Sequence, residues 1–312
     1  MYYALIMLSV IMFGGNFALK DVCRRQRGGG LKVTLEFTLI GAVAGLIVLV
    51  AINGFSLECT WFSLALAAVA ALNSLAFSFC SFRALGTINL SVYSLFSMLG
   101  GMLLPFFHGI FFFHEEFTVS KAVCLAFICA ALFLTLKKGE TQKSGRIYYL
   151  LVFVFNGMSG VLSKIFAAAP TEWKTMASGE LVSAAGYSIL RALVSLVLTS
   201  TLLLTIFRGK PYEKEQTKRG VMIGIVICLF SGPVNRVANW ILQLALEFVE
   251  TSVQYPMVTG GTMVVTTIIA FFTKSRPTVR QVISILLAVL GLTVLFVLPT
   301  FLPAWDKVIF KI

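Results

Sequence analysis

Ten apolar stretches of roughly 20 residues, cut apart by short polar breaks, leave this chain little choice of fold. In hydrocarbon no water is available to backbone N–H and C=O groups, so each stretch must satisfy them internally, as a helix does. At 1.5 Å per residue, about 20 residues cross the ~30 Å apolar layer of a bilayer. The predicted spans are 2–22, 33–53, 61–83, 89–113, 118–137, 146–168, 182–207, 219–244, 249–273 and 278–300. Composition agrees: 58% of the 312 residues are apolar, 12% are charged and the mean hydropathy is +0.93. A soluble domain carries about 25% charged residues. The expected fold class is all-α, an integral membrane protein with ten transmembrane helices.

Charge sets the expected orientation. The loops after spans 1, 3, 5, 7 and 9 hold seventeen of the 25 Lys and Arg, among them Arg24, Arg25, Arg27, Arg83, Arg208 and Arg280. The other loops and the C-terminal end hold Lys121, Lys174, Lys307 and Lys311. The positive-inside rule places the odd-numbered loops in the cytoplasm and both termini outside. The net charge of +12 therefore reports orientation and anionic headgroups, with no nucleic-acid partner implied. The N-terminal MYYALIML lacks a basic leader, so no cleavable signal peptide is expected. The expected setting is the plasma membrane, crossed many times.

The chain also echoes itself. Shifted by 160 residues, Gly100-Gly101 falls on Gly260-Gly261, Phe111-Phe112 on Phe271-Phe272 and Thr118-Val119 on Thr278-Val279. Five spans per unit would turn the second unit upside down, and the loop charges reverse accordingly. Loop 1–2 is basic while loop 6–7 carries Glu172, Lys174 and Glu180. Loop 4–5 carries Glu115 and Glu116 while loop 9–10 carries Lys274, Arg276 and Arg280. Two inverted five-helix repeats are expected: residues 1–138, a basic linker at 139–145, residues 146–300, and a short tail at 301–312.

Three motifs give a family likeness. The first span ends GGNFALK (Gly14 to Lys20), the fourth ends HEEFT (His114 to Thr118), and the sixth ends SGVLSK (Ser159 to Lys164). In these the chain resembles the ten-helix, EamA-like branch of the drug/metabolite transporter superfamily. Glu115, Phe117 and Thr118 match that family's Glu-x-Leu-Thr turn, while Ser275-Arg276-Pro277-Thr278 departs from it by lacking a Glu. The resemblance implies a central cavity between the halves and alternating access for small metabolites.

Ionisable groups inside a span are costly and so are candidates for function. Lys20 and Lys164 close the first and sixth spans at equivalent positions; they either snorkel to headgroups or face a cavity. Arg191 and Arg236 lie deeper, and Arg needs a partner or water because it keeps its proton. Glu180, about three turns earlier, is a candidate partner for Arg191. In SGPVNRVANW, Pro233 is expected to kink the helix. Asn235 and Asn239 share one face there, with Arg236 and Trp240 beside them. Asn73 and Phe77 repeat that spacing in span three, and Asn16 sits in the first motif.

Gly100-Gly101 with Pro105, and Pro256 with Gly260-Gly261, predict weakened, interrupted helices, which in transporters mark the binding site. Tyr93, Ser97 and Tyr255 lie close to those breaks. His108 and Glu115 are candidates for carrying a coupling proton, although Glu115 alternatively caps the next helix. Gly41 with Gly45, and Gly220 with Gly224, read as packing sites.

Nothing points to an enzyme. There is no Walker loop and no GxGxxG, and the scattered cysteines suggest neither disulfides nor a metal site. No cofactor is expected. The reading is a secondary transporter of a small polar metabolite, with cationic candidates favouring a substrate that bears an anionic group. The alternatives are a lipid or lipid-linked sugar flippase and a non-transporting membrane scaffold. The scaffold would require Arg191 and Arg236 to be neutralised internally, with no continuous cavity. The expected partners are a small-molecule substrate and the lipid bilayer.

Overall fold

The computed structural model describes residues 2–28, 30–87, 90–134, 146–209, 211–212, 215–272 and 279–310. The linker at 139–145, the end of the fifth segment, Lys210, Lys214 and the turn with Lys274, Arg276 and Thr278 lie outside them. In chain order the helices are α1 (Tyr2–Arg27), α2 (Leu31–Ile52), α3 (Trp61–Thr87), α4 (Leu90–Phe113), α5 (Val119–Leu134), α6 (Arg146–Ala168), α7 (Thr171–Lys174), α8 (Ala184–Thr205), α9 (Lys218–Ala245), α10 (Thr251–Phe272) and α11 (Val279–Phe301). Eight of them are long and apolar enough to cross a membrane, and α5 is a shorter apolar helix. Their outer faces expose large apolar side chains such as Ile47, Phe112, Leu204, Met222 and Phe230. Such a surface suits lipid and would be a liability in water.

The helices follow the predicted segments, with informative differences. α1 continues to Arg27 and α3 to Thr87, about a turn beyond the expected ends. α7 is a single extra turn ahead of α8. The interruptions expected in α4 and α10 do not occur: both run unbroken through their Gly pairs, with Pro105 and Pro256 inside. Close packing explains these glycines. A Cβ on Gly100 would overlap the Phe153 carbonyl, and one on Gly101 would lie 2.6 Å from Asn156 Nδ2. A Cβ on Gly261 would lie 2.8 Å from Val10. Gly41 of α2 and Gly232 of α9 likewise bring two backbones together, as small residues do between membrane helices.

In the bundle, α1 packs on α9 and α10, while α6 packs on α3 and α4. α2 packs on α8 and α9, and α3 on α8. α4 meets α10, and α5 pairs with α11 beside α10. A large buried apolar cluster joins α1, α4, α5, α10 and α11 through Val10, Met102, Ile128, Met263 and Ala288.

Polar ties hold the two ends. At the end near the α4–α5 turn, His114 adopts a left-handed φ of 54° that turns the chain back, and Glu115 N donates to Gly109 O. Beyond it, β1 (Phe117–Thr118) pairs antiparallel with β2 (Val308–Phe310). Asp306, just ahead of β2, accepts from Ser120 N at 2.8 Å and from Ser120 Oγ at 3.1 Å, capping the start of α5. At the opposite, basic end, buried Arg27 pairs with Glu36 at 2.6 Å and donates to Gln216 at 3.1 Å. Glu36 also accepts from Tyr212 OH at 2.5 Å. This network ties α1 and α2 to the loop before α9.

Candidate functional site

A cavity of about 260 Å³ lies between the two halves of the chain. Residues of α1, α2, α3, α4, α6, α8, α9 and α10 line it. Its walls differ. α1, α2 and α3 contribute Phe13, Phe17, Phe37 and Phe77, with Lys20 among them. The Lys20 ammonium lies 5.2 Å from the Phe77 ring centroid and 5.3 Å from that of Phe82, where the ring faces attract a cation. α8 and α9 contribute Arg191, Arg236, Asn235 and Asn239. No Asp, Glu or His lines the cavity among the described residues.

The local sequence explains how the arginines are placed. Arg191 lies one turn from Tyr187, over whose ring its guanidinium sits at 5.7 Å. Tyr187 is fully buried and stacks on Phe166 at 4.0 Å and 7°. Arg191 Nε is buried and has no hydrogen-bond partner among the described residues, and no ion pair joins Arg191 to Glu180 there. Arg236 packs its stem on α2 at Gly45, where an added Cβ would lie 2.5 Å from Arg236 Cγ. The small-residue pair read as simple packing thus makes room for a cationic side chain. Asn239 Nδ2 donates to Asn235 O at 2.7 Å, and α9 stays helical through Pro233.

Of the sequence-derived candidates, Asn16, Lys20, Phe77, Arg191, Asn235, Arg236, Asn239 and Tyr255 meet at this cavity. Tyr255 OH donates to Gly160 O at 3.1 Å, bridging α10 to α6. The others lie elsewhere. Asn73 donates to Phe155 O and Ser159 Oγ, both at 2.9 Å, and so joins α3 to α6. Tyr93 is buried and donates to Ser81 Oγ at 2.9 Å. The Ser97 carbonyl accepts from Asn156 Nδ2 at 2.6 Å, a contact between α4 and α6. Trp240 lies off the cavity wall. His108 stacks on Phe112 at 4.9 Å, also away from the cavity.

Lys164 and Glu115 form a separate cluster just past the cavity's end, next to the lining residue Ser163. Lys164 Nζ lies 3.3 Å from Glu115 Oε1, and both side chains are largely buried. Glu115 accepts from Thr251 N at 3.0 Å and Ser252 N at 2.8 Å, the free donors at the start of α10. Burial alone would raise the Glu115 pKa. The Ser252 N–H and hydroxyl, Lys164 and the Thr251 N–H outweigh it and hold the carboxyl below its usual range. Nearby, Lys121 pairs with Glu250 at 2.5 Å, and Gln243 donates to Ser163 O at 3.0 Å. These contacts fasten α4, α5, α6, α9 and α10 together at one end of the cavity. On the same side, Glu58 accepts from Ser183 N at the start of α8.

Sequence reading passed over small polar wall residues, notably Ser74, Ser78, Asn156, Ser159, Ser188 and Ser231. Their signal was present: Ser74 with Ser78, and Asn156 with Ser159 and Ser163, recur at helical spacing on otherwise apolar segments. The α2 wall at Phe37, Thr38 and Gly41 was also not anticipated.

No family model matches the sequence, and no curated protein matches it. Solved structures do share the fold. One crystal structure superposes with a TM-score of 0.67 over 94% of this chain and 96% of its own, with 17% of residues identical.

Proposed function

We propose that this chain is a secondary transporter. It carries a small polar metabolite by alternating access through the central cavity, between two inverted five-helix repeats. One observation carries the reading: the most extensive helix pairings are preserved when the halves are exchanged. The exchange matches α1 with α6, α2 with α8, α3 with α9, α4 with α10 and α5 with α11. It turns α1–α9 into α6–α3, α1–α10 into α6–α4 and α2–α9 into α8–α3, all of which are packed pairs. α2–α8, α4–α10 and α5–α11 map onto themselves and are packed as well. A cavity on such an axis is where inverted-repeat transporters bind their cargo.

On this reading α5 and α10 also span the bilayer, making ten spans. The basic loops lie in the cytoplasm, both termini lie outside, and the chain resides in the plasma membrane. The resemblance to the EamA-like transporters belongs to the same proposal. The Glu115–Lys164 cluster is the latch that closes one end of the cavity, and breaking it opens that end. The scaffold alternative fits less well, because a cavity is present and Arg191 and Arg236 have no carboxylate partner among the described residues. A lipid flippase fits less well because 260 Å³ is small even beside sites for drug-sized ligands, which start at about 300 Å³.

The test needs no substrate. Asn235→Cys places a thiol on the cavity wall, in a background where the exposed Cys59 is replaced by Ser. A membrane-impermeant thiol reagent is then applied to one face of sealed vesicles at a time. Alternating access gives labelling from both faces. Labelling from one face alone, under every condition, would sink the proposal.

A further inference from the structure

We infer that the cargo is a small organic anion, a carboxylate or phosphate attached to an aromatic or similarly flat apolar body. The inference rests on the transport reading and names the substrate class of that same cavity. Its ground is the division of the cavity walls. Arg191 and Arg236 stand on the wall made by α8 and α9, while Phe13, Phe17, Phe37 and Phe77 stand on the wall made by α1, α2 and α3.

Charge gives the sign of the ligand. Lys20, Arg191 and Arg236 are the charged residues of the lining, and no carboxylate answers them among the described residues. All three are partly buried, and charges drawn out of water are normally paired, because losing hydration is costly. Three cations around one small space leave that cost standing, and a bound anion offsets it. A cationic ligand would add to the repulsion.

Geometry gives the kind of anion. A guanidinium presents planar, parallel N–H donors that match a carboxylate or phosphate. Arg191 is held by the Tyr187–Phe166 stack and Arg236 by the Gly45 gap, so neither must be ordered on binding. Arg191 Nε, buried and without a hydrogen-bond partner among the described residues, is a donor in wait. The phenylalanines of α1, α2 and α3 offer ring faces to an apolar body within the same cavity. The 260 Å³ volume limits that body to a small metabolite.

The experiment measures thermal unfolding of the purified protein against probes of one shape and different heads. The probes are benzoate, phenyl phosphate, benzylamine and benzyl alcohol, with acetate and inorganic phosphate as body-less controls. The melting temperature is expected to rise with benzoate or phenyl phosphate and stay unchanged with benzylamine and benzyl alcohol. Whichever head gives the larger rise separates carboxylate from phosphate. Arg236→Gln and Arg191→Gln should each raise the half-saturating concentration at least about tenfold, the loss expected on removing a charged hydrogen bond.

Stabilisation by benzylamine or benzyl alcohol equal to that by the anions would overturn the inference, and that comparison needs no variant. So would an anion effect that survives both substitutions, or acetate and phosphate acting as well as the aromatic probes. If the thiol introduced by Asn235→Cys labels from both faces while no anion binds, the anion inference fails alone. One-sided labelling removes the transport reading beneath it.

Discussion

Glu115→Gln tests the proposed latch most directly. The substitution keeps the shape of the side chain and removes its charge. In the native protein this carboxylate accepts two N–H groups at the start of α10, at 3.0 and 2.8 Å, and pairs with Lys164 at 3.3 Å. It is 8% exposed, so water offers little compensation for what is lost. A hydrogen bond to a charged group contributes about 1.5–3 kcal/mol, and breaking a buried ion pair from one side costs about 3–5 kcal/mol. The amide oxygen of Gln retains part of the cap, so the expected loss is about 3 kcal/mol. With an unfolding entropy of roughly 2.1 cal/mol/K per residue, 312 residues give ~0.65 kcal/mol/K. The melting temperature should therefore fall by about 5 °C.

The assay is thermal unfolding at neutral pH, followed by a double-mutant cycle with Lys164→Met. Removing the stranded ammonium should recover part of the loss, with a coupling energy of about 1–3 kcal/mol. The pH dependence has a definite sign. The folded pKa of Glu115 lies below its unfolded value of about 4.3. Its contribution is thus complete above that value and disappears as the pH falls through the folded pKa. Wild type and Glu115→Gln should converge in stability as the medium is acidified. A shift under about 1 °C at neutral pH, or strictly additive losses in the cycle, would refute the latch.

Three further outcomes follow from the same contacts. Gly232→Ala should lower stability by about 1–3 kcal/mol, because the new methyl overlaps Gly41 on α2; an unchanged unfolding curve would show that the two helices part freely. Asp306→Ala should cost about 1 kcal/mol by uncapping α5, with faster hydrogen exchange at Ser120; unaltered exchange there would count against the cap. The Glu58 carboxyl feels burial, which raises its pKa, but hydrogen bonds from Ser183, Asn53 and Ser56 prevail and hold it low. Glu58→Gln should therefore lose stability near neutral pH and match wild type as the pH drops below about 4; a constant difference across the titration would contradict that assignment.

Much of the molecule is legible in the sequence. The length of an apolar run is a local property, and it located the helices because hydrocarbon demands a complete turn-by-turn hydrogen-bond ladder. The deep cations Arg191 and Arg236 were also legible, since a charge in an apolar run stands out against its background. Which residues face inward was not. Lipid is as apolar as a protein interior, so no sharp amphipathic pattern separates the inner face of a membrane helix from the outer one. That is why Ser188, Ser231 and the whole α2 wall escaped notice, while Trp240 and Asn73 were drawn in by spacing alone.

Tertiary structure decided the rest. Lys20 and Lys164 hold matching places in the sequence, yet one lies over phenylalanine rings at the cavity and the other is bound to Glu115. Partners distant in the chain make that difference: Lys164 finds Glu115 from the other half, and Glu115 is itself held by Thr251 and Ser252 through α4 meeting α10. The glycine pairs likewise marked special positions without saying how they are used. They break a helix where nothing presses on them and seat a neighbour where something does, and here the backbones of α4 and α6 come together. The sequence by itself determined the segments and their charges; packing determined which charges are paired and which face the open cavity.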